Sequence, residues 1–97
     1  MSIVEENVKS TVNEKSGIDS KIKYDENYEG CYVVTAPALN VRSVPDAKKA
    51  NSVIKCALNG EKICCDGNYV VIGGTRWLHI DFNGILGFVS DKFIMKL

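Results

Sequence analysis

Trp77-Leu78-His79-Ile80-Asp81-Phe82-Asn83-Gly84-Ile85-Leu86-Gly87-Phe88-Val89-Ser90 is the stretch whose reading decides the fold. Leu78, Ile80 and Phe82 fall on one phase of a two-residue alternation, and Trp77, His79 and Asp81 on the other, as in a strand with one buried face. Asn83-Gly84 then supplies the dipeptide that best tolerates positive φ at both centres of a tight hairpin turn. Leu86 to Val89 reads as the returning strand.

Working outward, the same grammar covers residues 30–97. Cys31 to Thr35 reads as a strand stopped by Ala36-Pro37, and Leu39 to Arg42 as a second one ending in a turn at Ser43-Val44-Pro45-Asp46. Ser52 to Leu58 and Glu61 to Cys65 flank Asn59-Gly60, which predicts another hairpin. Asp66-Gly67-Asn68 and Gly73-Gly74-Thr75 predict turns on either side of Tyr69 to Ile72. Asp91 to Met95 suits a short helical turn or a last strand. Short strands punctuated this often, with no helix between them, predict an all-β fold. For so few residues, closure into a small barrel of about five to seven antiparallel strands is favoured, because it removes exposed edges. The expected core is Leu39, Val41, Ile54, Ile63, Leu78, Ile80, Phe82, Phe88 and Val89.

Residues 1–29 are written differently. They are polar, lack proline, and carry aromatics only at Tyr24 and Tyr28. Val4, Val8 and Val12 recur at helical spacing behind a Ser2-to-Glu5 capping pattern, but three β-branched residues make a weak helix. The expectation is a flexible tail, with a frayed helix over 3–15 as the lesser alternative.

Composition excludes several function classes. Twelve Lys and Arg balance twelve Asp and Glu, so the charge excess that nucleic-acid binding needs is missing. No apolar run is long enough to span a bilayer, and the segment shows no signal peptide. Cys31, Cys56, Cys64 and Cys65 lack zinc-knuckle spacing, and vicinal Cys64 and Cys65 point to opposite faces. They read as small thiols filling strand positions, or as a Cys56–Cys64 bridge across the expected hairpin if the compartment is oxidising. With His79 the lone histidine, on the polar phase of a strand, no nucleophile–base pair is legible, and no cofactor or metal is expected.

The residues resemble a known family. Ala38-Leu39-Asn40-Val41-Arg42-Ser43-x-Pro45 is similar to the "LNVRSGPS" opening of bacterial SH3 (SH3b) domains. Val53-Ile54 before Asn59-Gly60 resembles "VIGTLKKG", and Trp77-Leu78-His79-Ile80 resembles "WYKV". Asn83-Gly84-x-x-Gly87-Phe88-Val89-Ser90-x-Lys92-Phe93-Ile94 resembles "NGKTGYVSSKYL". The matches run in order through residues 30–95. Val44 departs from the family's usual glycine and, preceding a proline, is pushed to extended backbone. The segment that helps eukaryotic SH3 domains hold polyproline is absent.

The resemblance implies an SH3-like barrel serving as a non-catalytic module of a larger surface or secreted protein. It would be monomeric, lie at the cell wall, and bind peptidoglycan peptide or another wall component. The alternatives are a structural or protein-interaction domain that positions a neighbouring catalytic domain, or an intracellular scaffold or sensor in the cytoplasm. Candidate ligand-binding residues are Trp77, His79 and Asp81 on one strand phase, with Tyr69, Asn68 and Tyr32 as further surfaces. Asn40 and Arg42 point outward, more as a brace for the loop from Ser43 to Asn51 than as contacts. An apolar-rimmed groove beside that loop is the expected site.

Overall fold

The computed structural model describes residues 22–47 and 50–97. The chain forms strands β1 (Lys23–Tyr24), β2 (Gly30–Val34), β3 (Ala38–Arg42), β4 (Val53–Leu58), β5 (Lys62–Ile72), β6 (Thr75–Phe82), β7 (Ile85–Ser90) and β8 (Ile94–Lys96). Single 3-10 turns at Glu26–Tyr28, Ala50–Ser52 and Asp91–Phe93 join some of them. All pairings are antiparallel, in the order β4-β3-β7-β6-β5-β2-β8, with β1 added to β5. The fold is all-β, as expected: a curled antiparallel half-barrel. Among the described residues no helix is long and apolar enough to cross a membrane.

Curling follows from one short connection. β4 lies at the start of the sheet order and β5 four strands further along, yet only Asn59–Glu61 separates them in sequence. The sheet must therefore bend until its β4 edge comes round beside the β2–β5 side. This corrects the hairpin predicted at Asn59-Gly60: β4 pairs with β3, and β5 pairs with β2.

The inner face collects Val34, Leu39, Val41, Ala57, Ile63, Leu78, Ile80, Phe82 and Val89, all buried in one cluster with Tyr32 and Cys65. Burying each Val, Leu or Ile contributes about 1.5–3 kcal/mol. Two expected core residues lie elsewhere. Ile54 is 45% exposed, because the β3–β4 register shifts between Val41 and Arg42 and leaves it without a partner position. Phe88 takes the outer phase of β7, half-buried against His79 with ring centroids 5.1 Å apart. The turn expected at Asp66-Gly67-Asn68 is a bulge inside β5, where the register with β6 shifts between Cys65 and Tyr69.

The expected tail boundary also moves. Lys23 and Tyr24 pair with Tyr69 and Asn68. Asp25 N–H donates to Gly67 O at 2.9 Å, and Lys96 Nζ donates to Asn27 O at 2.6 Å. Asp25 also caps the turn that follows, accepting from Asn27 N–H. Lys23–Tyr24 thus belong to the sheet and the turn after them is fastened to it, and the frayed helix at 3–15 lies outside the described residues.

One covalent tie secures β2 to β5. Cys31 and Cys64 sit directly opposite each other and form a disulfide, with Cα atoms 4.0 Å apart. This corrects the Cys56–Cys64 bridge: Cys56 stands opposite Asn40 on the far edge, exposed and free. Cys65 is a buried thiol that accepts from Gly67 N–H at 3.3 Å, and burial pushes its titration up.

Candidate functional site: a groove floored by Trp77

Trp77 is only 6% exposed, yet it lies on the opposite phase of β6 from Leu78, Ile80 and Phe82. It borders a groove of about 310 Å³ outside the core cluster. Ala36, Ala38, Leu39, Asn40 and Arg42 line one wall, from the approach to β3 and from β3 itself. Ala47, in the loop after β3, closes that side. Thr75 and Trp77 come from β6, and Ser90, Lys92 and Phe93 from the end of β7 and the turn beyond it.

Local chemistry explains why these groups meet. Ser90 is buried and caps the Asp91–Phe93 turn, its hydroxyl accepting from Lys92 N–H at 3.4 Å. That cap swings Phe93 and Lys92 toward Trp77, which pairs with Ser90 across β6 and β7. Across the groove, Arg42 donates through Nη1 to Ser52 Oγ at 3.1 Å, and Ser43 N–H donates to Ser52 O at 2.8 Å. Arg42 thus ties both ends of the loop after β3, as its expected bracing role requires, while also lining the groove. Three alanines keep the walls low and leave the groove its space.

The eight sequence candidates do not converge. The groove gathers Asn40, Arg42 and Trp77. His79 faces a different neighbour, Asp66, with Nδ1 to Oδ2 at 2.7 Å. Asn68 N–H donates to the other oxygen of the same carboxylate at 2.9 Å. Burial works against the Asp66 charge, but the hydrogen bonds from Asn68 and His79 outweigh it and hold its titration below the usual aspartate range. Asp81 is spent on the hairpin turn, accepting from Gly84 N–H at 2.6 Å. Tyr32 is a core residue whose hydroxyl donates to Tyr28 O at 2.8 Å, and burial raises its titration. Tyr69 packs edge-on against Tyr28, centroids 4.8 Å apart. These last three belong to structure rather than to a shared surface.

Sequence reading missed Phe93, Lys92, Thr75, Ser90 and the three alanines. The Ser90-to-Phe93 capping pattern was the one available signal, since it turns Phe93 back over the sheet. Alanines carry no chemical signature, and their contribution is space.

Behind the groove, Arg76 holds a second cluster. Its Nε donates to Asp91 Oδ2 at 2.7 Å, its guanidinium also donates to the Tyr28 hydroxyl, and it lies 4.8 Å above the Tyr28 ring. The residues before β2 and the turn carrying Lys92 are thereby fastened to one cation.

What the groove can do is set by this lining. Flat aromatic surface and methyl groups offer dispersion and apolar burial, while Asn40, Thr75 and the cations at its lip offer hydrogen bonds. No family model, curated protein or solved structure matches the chain.

Proposed function

We propose that this chain is a non-catalytic binding module, of the bacterial SH3 kind, within a larger surface or secreted protein. It holds that protein at the cell wall by taking a peptidoglycan peptide into the Trp77 groove. The observation that carries the reading is a tryptophan buried outside the core, beneath an open groove walled by alanines. Wall peptides are short and rich in small side chains, so they bind through flat contact and backbone hydrogen bonds rather than through large anchors. The Cys31–Cys64 disulfide supports an oxidising, exported setting. The loop bordering the groove is where the SH3b resemblance placed its first motif.

Co-sedimentation with purified cell wall, followed by NMR titration with stem and cross-bridge peptides, tests it. The wild-type chain is expected to sediment and to show shifts at Trp77 and Phe93. Ala38→Leu, at an exposed groove position, fills the space without touching the core. It should weaken binding by about tenfold or more, roughly 1.4 kcal/mol. Flat titrations together with failure to sediment would sink the proposal.

A further inference from the structure

Arg76 does not line the groove, and neither do Asp91 and Tyr28, the two residues it bonds. It leaves β6 beside Trp77, and its guanidinium joins two short turns that are remote in sequence. On one side Nε donates to Asp91 Oδ2 at 2.7 Å, in the turn that carries the lining residues Lys92 and Phe93. On the other, Nη1 donates to the Tyr28 hydroxyl, and the cation lies 4.8 Å over that ring. Neither turn, Glu26–Tyr28 or Asp91–Phe93, buries a residue. Polar contacts rather than packing hold them, and such segments shift at low cost. For the groove turn those contacts include the 3.4 Å Ser90 cap, the bond from Thr35 N–H to Phe93 O at 2.9 Å, and Arg76. A guanidinium is a rigid plane, so a change at one partner turns the donors that face the other.

We infer that Arg76 is a positioning residue for the groove: through Asp91 it sets the wall formed by Lys92 and Phe93, and through Tyr28 it makes that setting depend on the turn before β2. Anything that lifts the Glu26–Tyr28 turn thereby reaches the groove without touching it. The setting of the wall is a property of the free chain. Its effect on binding rests on the reading of the groove as a peptide site.

The test uses the full chain, labelled for NMR, with purified cell wall as the binding probe. Tyr28→Phe keeps the ring against Tyr69 and removes only the hydroxyl. It is expected to shift the backbone signals of Asp91, Lys92 and Phe93 and to speed exchange of the Thr35 amide. Wall affinity should fall about threefold, the size of an exposed charged contact. Asp91→Ala removes the other arm and should move the same signals. In the double variant the Tyr28 substitution should add nothing at Lys92 and Phe93, because the link through Arg76 is already cut. Asp66→Asn, in the β5 bulge, controls for loss of stability alone and should leave those signals and the wall affinity unchanged. Additive shifts in the double variant, or Tyr28→Phe changes confined to the surroundings of Tyr69, overturn the inference. Unchanged wall affinity in a Tyr28→Phe chain whose Phe93 signals move overturns it as well. If the wild-type chain does not sediment with wall, the peptide reading falls, and the signals of the free chain still decide the role of Arg76.

Discussion

Asn59-Gly60 and Asn83-Gly84 are the same dipeptide, each set between two runs of strand-forming residues, and only the second makes a hairpin. At 83–84 both residues take positive φ, 53° and 90°. Their twist matches that of the flanking strands, and β6 pairs with β7 from Phe82↔Ile85 through Trp77↔Ser90. At 59–60 only Gly60 is left-handed, at 88°. A turn of that kind splays its strands. Besides its local bond from Glu61 N–H to Leu58 O at 3.0 Å, it bonds to other parts of the chain: Gly60 N–H to Val34 O at 2.8 Å, Asn59 Nδ2 to Thr35 O at 3.0 Å, and Val34 N–H to Glu61 O at 2.9 Å. One turn is finished locally. The other is finished only with the end of β2, where the sheet bends.

The sharpest way to break this contrast is to loosen β2. Replacing Cys31 and Cys64 together by Ser removes a bridge spanning 33 residues. By the chain-entropy account that costs about 3–4 kcal/mol, much of the stability of a domain this small. A large drop in denaturation midpoint is expected, with hydrogen-exchange protection lost first in β2, β5 and the Asn59–Glu61 turn and later in the β6–β7 hairpin. Uniform loss of protection would mean that the two turns are not independent.

Next in size is the same substitution made in both turns. Asn59→Gly removes the bond to Thr35 and should cost about 1 kcal/mol. Asn83→Gly keeps a residue comfortable at positive φ and should change stability by less than about 0.5 kcal/mol. Urea melts of the two variants decide it, and equal effects would erase the distinction between a tertiary turn and a local one.

The smallest effect concerns pH on the hairpin side, where Asp66 in the β5 bulge meets His79 of β6. The Asp66 titration is lowered in the folded chain, so its contribution is present above the ordinary aspartate range and fades as pH falls through the folded value. Asp66→Asn should therefore lower the melting temperature slightly near neutrality and converge with the wild type in acid. The exposed pair contributes less than about 1 kcal/mol. A gap that widens toward acid would contradict this.

Legibility followed the range of the interactions. Alternation along β3, β6 and β7 gave the strands and most of the core, because which face a side chain takes is a local property. The Asn83-Gly84 hairpin was legible for the same reason. The Cys31–Cys64 bridge was not, since it depends on β2 lying against β5, whereas Asn59-Gly60 signals β4 as the partner of β5. Ile54 was misplaced by a bulge that no residue type announces, and Asp66-Gly67-Asn68 reads alike as a turn or as a bulge. At the site, Trp77 and the groove beside the loop after β3 could be anticipated. His79 and Asp81 share its strand phase but are drawn off by Asp66 and by the turn at Gly84, partners that alternation cannot see.

The Lys96–Asn27 contact has a mechanical consequence. It fastens the turn between β1 and β2 to the last strand, so the first and last strands of the described fold are both held on the β2–β5 side of the sheet. Tension applied between those two strands runs through β1, β5, β2 and β8, four neighbouring strands with a covalent staple across the middle pair. The Trp77 groove, built from β3, β6 and the β7–β8 turn, stands largely to the side of that line of force. Pulling at both ends would therefore strain those four strands before it deformed the groove.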